Sequence, residues 1–167
     1  MSRVIAARAN GHGPAPGAAA IVTFRIGGQR YGLPISAVRE VVQVPALTVL
    51  PGAAPALRGL LNRRGRYLPV LDGRALTGVP AGAADLSLDS HVILLGGAEA
   101  ELGLLVDQVV GVQPFAEGGQ RAPGARLEPA AASPWLLSVW HDEGESVLLL
   151  DWLALRSMAA VLAPEQP

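Results

Sequence analysis

Four of the thirteen basic residues, Arg58, Arg63, Arg64 and Arg66, crowd one short stretch, LRGLLNRRGRYLPVLD, residues 57–72. Guanidiniums at that density can clamp phosphates, follow a nucleic-acid backbone, or present planar forks to the carboxylates of a protein partner. Carboxylates gather around a second turn as Asp142, Glu143 and Glu145, and stand singly at the ends of apolar runs as Asp72, Asp107 and Asp151. The three histidines, His12, His91 and His141, have no second histidine at i+3 or i+4, so no helical metal pair can form. Without cysteine there is no thiol nucleophile, disulfide or thiolate metal site. Neither a G-x-S-x-G elbow nor a P-loop is present. Gly27-Gly28 lies between two strand-like segments, not before a helix, and reads as a hairpin turn. Asp107 reads first as a cap, Asp72 and Asp151 as helix caps, and the 142–145 cluster as a solvated tip. No convincing acid–base pair remains, so the residues argue for a binding module. Catalysis would have to run through Asp107 or His91.

The charge balance narrows the partner. Thirteen basic and fourteen acidic residues leave a net charge of −1, too little positive field for a general nucleic-acid binder. Only Tyr67 lies near enough to the arginines to stack a base, so no nucleic-acid partner is expected. Arg8, Asn10 and His12 interrupt the N-terminal apolar residues, leaving no signal-type apolar core. The runs around 92–95 and 147–150 are far short of the ~18 residues a membrane helix needs. The expectation is a soluble intracellular protein with no direct membrane insertion and no cofactor.

These residues need elements to hold them. AIVTFRI (20–26), a Gly-Gly turn and QRYGLPI read as a hairpin; Ser36 is placed to cap one helical turn before EVVQV. GLLNR and RYLPVL form a second hairpin across Arg64-Gly65. HVILL, ELGLLV, VVGVQPF, WLLSVWH and SVLLL add five strands, and DWLALRSMAAVL has helical periodicity. About ten short strands between frequent turns predict an all-β chain of antiparallel barrels or sandwiches.

The chain also repeats. GLPISAVREVV (32–42) lies over GLLVDQVVGVQ (103–113), placing Gly32 on Gly103. GLLNRRGRYLPVLDGRAL (59–76) lies without a gap over SVWHDEGESVLLLDWLAL (138–155), placing Gly65 on Gly144 and Asp72 on Asp151. Each half then reads as one small barrel with the same turn glycine, Gly65 or Gly144, and the same helix-capping aspartate, Asp72 or Asp151. The expected division is a leader at 1–19, a first barrel at 20–88, a second at 89–157, and a helix end and tail at 158–167. Because the second turn carries His141, Asp142 and Glu143, the arginines are not needed to make the turn and point to function.

Y-G-L-P-I-x-x-V-x-E-V (31–41), L-P (50–51), R-G-L-L-N-x-R-G (58–65), L-P-V-L-D (68–72) and G-L-L-V-D-Q-V (103–109), in that order, resemble the CheW family of chemotaxis coupling proteins. The resemblance implies two five-stranded Src-homology-3-like barrels side by side, with short helical turns and a C-terminal helix. It implies a non-enzymatic cytoplasmic adaptor, recruited to membrane-associated arrays. Its partners would be the cytoplasmic tip of a methyl-accepting chemoreceptor and the regulatory domain of a CheA-type histidine kinase. Carried over by position, the receptor-facing residues are Val38, Glu40, Gly59, Asn62 and Arg64, with Arg64 expected to be held by Glu40 while Arg58, Arg63 and Arg66 stand in water. Arg63 and Gly73 depart from the family pattern, which usually has an apolar residue at both places. An adaptor for surface motility or second-messenger control would look much the same.

Overall fold

The computed structural model describes residues 19–79, 86–115, 126–129, 134–142 and 144–163. Nearly all of the expected leader, Glu143 and the end of the expected tail lie outside them. The strands are β1 (Ala19–Ile26), β2 (Gln29–Pro34), β3 (Val38–Gln43), β4 (Leu57–Arg63), β5 (Arg66–Asp72), β6 (His91–Leu95), β7 (Leu102–Val106), β8 (Gln108–Phe115), β9 (Arg126–Pro129), β10 (Leu136–Asp142) and β11 (Glu145–Leu150). Two helices, α1 (Gly73–Thr77) and α2 (Trp152–Leu162), follow β5 and β11. The strands form a five-stranded sheet, β3-β6-β7-β5-β4, and a second of the same pattern, β8-β1-β2-β11-β10, to which β9 adds a sixth edge strand.

That order corrects the expected division at residue 88. The hairpin β1–β2 joins strands of the second half, and β6–β7 joins strands of the first. The halves have exchanged their leading hairpins, and one parallel pair stitches each hairpin to its host: β2 to β11 and β7 to β5. The repeat read from the sequence holds in the registers. Gly32 faces Leu149 across the first junction and Gly103 faces Val70 across the second, which are equivalent positions. Leu61 pairs with Leu68 as Trp140 pairs with Val147. Even the bulges coincide, at Leu57/Gly59 and Leu136/Ser138.

Each sheet encloses its own core. Val42, Leu61, Leu68, Val70, Val92, Leu94 and Leu105 form one; Ile21, Trp140, Val147 and Leu149 form the other. Val42 on β3 and Leu61 on β4 lie on the two outer strands of their sheet yet share a cluster, so the sheet curls into a barrel with its seam between them. Between the barrels lies a larger shared core with Phe24, Leu33, Leu71, Ile93, Leu95, Leu104, Leu150 and, from α2, Leu155. Burial of apolar side chains stabilises at roughly 25 cal/mol per Å², and this shared core draws its side chains from strands of both barrels.

Both helices are started in the same way. Asp72 Oδ1 accepts from the backbone N–H groups of Arg74 (3.0 Å) and Ala75 (3.3 Å). Asp151 Oδ1 accepts from Leu153 (3.0 Å) and Ala154 (3.3 Å). Ser36 does not cap: the 3-10 turn spans Ile35–Ala37, Pro34 takes the N-cap position, and no side-chain bond forms there. Proline, already fixed near φ −65°, starts the turn before the serine. Strand β9 is an addition to the expected set. RLEP carries only one large apolar residue and ends in proline, a residue that sheets admit at an edge, so its sequence gives no strand signal.

Candidate docking site

At the seam of the five-stranded barrel, the guanidinium of Arg63 donates to Glu40 Oε2. The alternation of strand side chains turns both residues to the inner face, and closure of the barrel brings them together. Arg63 lies on the face of Leu61, and Glu40 on the face of Val42, both inward; the pair closes the rim above those apolar residues. Arg64 was expected to hold Glu40 and does not. It occupies the turn with φ 51°, beside Gly65 at φ 81°, a type I′ pair that takes it out of the strand's alternation. Arg64 is exposed and ion-pairs with no carboxylate among the described residues. The expected solvated tip is also corrected. Arg58 donates to Asp72 (3.3 Å), and Arg66 pairs with Glu99 from the β6–β7 loop.

The rim opens as a groove of about 340 Å³ lined by Arg39, Glu40, Arg63, Arg64, Arg66 and Glu99, with Leu68, Ala98 and Ala100 as its apolar part. Val38, Gly59 and Asn62 are not among the residues that line it. A Cβ at Gly59 would lie 2.7 Å from the Thr48 carbonyl oxygen; the glycine admits the crossing loop, whose Thr48 exchanges two 2.9 Å backbone bonds with Leu60. Asn62 Oδ1 accepts from the Gly65 N–H (3.2 Å) and holds the turn. Val38 is half-buried against the shared core. The sequence reading missed the roles of Arg63, Arg39 and Glu99. Counting by twos from buried Leu61 would have found Arg63; Arg39 and Glu99 meet the groove only through tertiary structure.

The other candidates have structural employment. Asp107 accepts from the Gly27 N–H (2.8 Å) and from Arg74 Nε (2.8 Å), tying the β1–β2 turn to α1. His91 Nδ1 lies 2.6 Å from the Asp89 carbonyl oxygen, and His141 Nδ1 lies 2.9 Å from Ser146 Oγ. Glu145 bridges Arg25 (2.6 Å) and Arg30 (2.7 Å). Hydrogen bonds from Arg25 and then Arg30 hold its carboxyl below the ordinary carboxylate range. Burial raises the Tyr31 hydroxyl, partly offset by a hydrogen bond with Thr77.

Two curled sheets sharing a core, with a charged rim on one of them, define a two-barrel module of the Src-homology-3 type. The chain belongs to the CheW-like domain family, which matches residues 20–159. It is 33% identical to protein PilI of Pseudomonas aeruginosa over 122 residues, covering 73% of this chain and 67% of that protein. FrzA of Myxococcus xanthus is 30% identical over 143 residues, covering 81% and 84%. The chemotaxis protein CheW of Rhizobium meliloti is 34% identical over 90 residues, and the match spans 53% of this chain and 56% of that protein. Among solved structures, the scaffolding protein TtCheW of Thermoanaerobacter tengcongensis aligns with a TM-score of 0.67 at 25% identity, covering 80% of this chain and 89% of that one. The family and these relatives make the chain an adaptor of chemosensory type.

Proposed function

We propose that this protein is a non-enzymatic adaptor that joins the cytoplasmic tip of a transmembrane chemoreceptor to a CheA-type histidine kinase, and that the receptor meets the rim formed by Glu40, Arg63 and Arg64. The observation that carries the reading is the confinement of this ion pair to one barrel. At the equivalent positions of the other barrel stand Gly111, by the matched registers Leu94–Glu40 and Thr23–Gly111, and Asp142, by the matched registers Arg63–Arg66 and Asp142–Glu145. A partly exposed pair of this kind contributes about 0–1 kcal/mol to stability, so its use lies in fixing the orientation of a guanidinium fork. Glu40, Arg63 and Arg64 present charge to the partner; Val38, Gly59 and Asn62 set the backbone that carries them. No helix of the described residues is long and apolar enough to cross a membrane, and the adaptor would reach a membrane array through its receptor.

The test is calorimetric titration with a soluble receptor-tip fragment and with the kinase regulatory domain from the same genome. Glu40→Ala and Arg64→Ala are each expected to weaken receptor binding about tenfold or more, the worth of a charge-assisted hydrogen bond, and to leave kinase binding unchanged. Receptor binding at full strength in both variants would remove this rim from the docking surface. A second reading, an adaptor of a chemosensory-type pathway other than that of the CheW relatives, is favoured by the spans matched, because proteins with other names align over longer stretches. PilI and FrzA align over 122 and 143 residues, the Rhizobium CheW over 90. Titration against receptors of each chemosensory system in the genome separates the two.

A further inference from the structure

The groove at the barrel rim holds more positive charge than its own carboxylates balance. Arg63 is matched by Glu40 and Arg66 by Glu99. Among the described residues, Arg64 meets no carboxylate, and Arg39 donates to the Ser36 carbonyl oxygen rather than to an acid. Two guanidinium forks therefore face an open groove with donors to spare, above a small apolar floor at Leu68 and Ala100. The fold does not require this polarity. In the other barrel, Arg39 is replaced by Val110 and Arg66 by Glu145, as the equivalent bulges and hairpin registers place them. The Arg66–Glu99 pair is also the most solvent-exposed ion pair on the rim, its side chains 59% and 75% exposed. Such a pair contributes little by itself and exchanges readily.

We propose that this groove receives an acidic segment of the docking partner: one carboxylate is held by Arg39 and Arg64, and a second displaces Glu99 from Arg66. This deepens the receptor-docking reading and rests on it. It makes Arg39, Arg66 and Glu99 the residues that select which partner is accepted, with Glu99 occupying the place of the partner's second carboxylate in the free protein. A neutral or basic segment at the same place would leave the guanidiniums unsatisfied, and that difference supplies the discrimination.

The test uses the full chain and a synthetic helical peptide with glutamates at i and i+4 on an alanine–leucine framework, beside its glutamine counterpart. Binding is followed by fluorescence anisotropy and by the arginine Nε–H resonances. The glutamate peptide is expected to bind, to shift the Arg39 and Arg64 signals, and to weaken steeply with added salt. Arg39→Gln and Arg66→Gln should each weaken it about five- to tenfold. Glu99→Gln should tighten it about two- to fivefold, a gain that a purely structural Arg66–Glu99 pair would not give. Equal binding of the two peptides, insensitivity to Arg39→Gln and Arg66→Gln, or a weaker Glu99→Gln complex would each overturn the proposal. Peptide binding as described, with no receptor tip bound in calorimetry, would retain the acidic-segment groove and discard the receptor as its occupant.

Discussion

At the residue scale, neighbours on one strand carry different jobs because alternation separates them. Arg63 turns inward to Glu40, Asn62 turns outward to tie the turn, and Arg64 leaves the strand altogether. Gly59 shows how a residue can serve a surface without touching it. Its buried backbone lets Thr48 cross at hydrogen-bond distance, so the loop at 44–56 lies against β4. Gly59→Ala would place a methyl 2.7 Å from the Thr48 carbonyl oxygen, in the middle of a paired segment that cannot easily yield. The expected cost is about 1–3 kcal/mol, seen as a lower urea midpoint with an unchanged slope. Receptor affinity should fall as well, because the loop and β4 shift together. Unchanged stability would mean the crossing loop is free to move aside.

At the scale of elements, Glu145 on β11 takes Arg25 from β1 and Arg30 from β2, so one carboxylate pins the exchanged hairpin to its host. Its pKa is lower in the folded chain than the ordinary value of 4.5. The folded protein therefore favours the ionised form, and the resulting stability is fully present above the unfolded pKa and is lost as pH falls through the folded one. Urea midpoints measured from pH 6 down to about pH 3, a span that brackets the ordinary carboxylate range, should fall more steeply for the wild type than for Glu145→Gln. Parallel curves would show that the bridge contributes nothing to folding. Most elements were legible in the sequence because strand runs here are short, apolar and separated by turn residues. The caps at Asp72 and Asp151 were legible because a carboxylate before a free helical N–H has one obvious use. The Arg63–Glu40 and Arg66–Glu99 pairs were not, since the first joins two edge strands that only barrel closure brings together and the second spans the parallel β5–β7 junction between the halves.

At the scale of the whole molecule, the repeat in the sequence suggested two barrels in succession, and the sheets instead interleave the halves. Sequence similarity reports which strands correspond; it does not report which copy of a hairpin each sheet takes up. The consequence is mechanical as well as topological. Strands β3, β4 and β5 enclose their core only with β6 and β7, while β1 and β2 depend on β8 and β11. A fragment ending at residue 88 would keep two hairpins and lose every strand between β3 and β5, exposing Val42, Leu61, Leu68 and Val70. That fragment, residues 20–88, is expected to remain unfolded alone, with narrow amide dispersion and no thermal transition. Mixed with residues 89–163 it should regain β-sheet circular dichroism and bind as a one-to-one complex. The intact chain should unfold in a single transition, because neither sheet can open without withdrawing strands from both halves. Independent folding of residues 20–88 would contradict the exchange, since only a barrel assembled from consecutive strands could survive that cut.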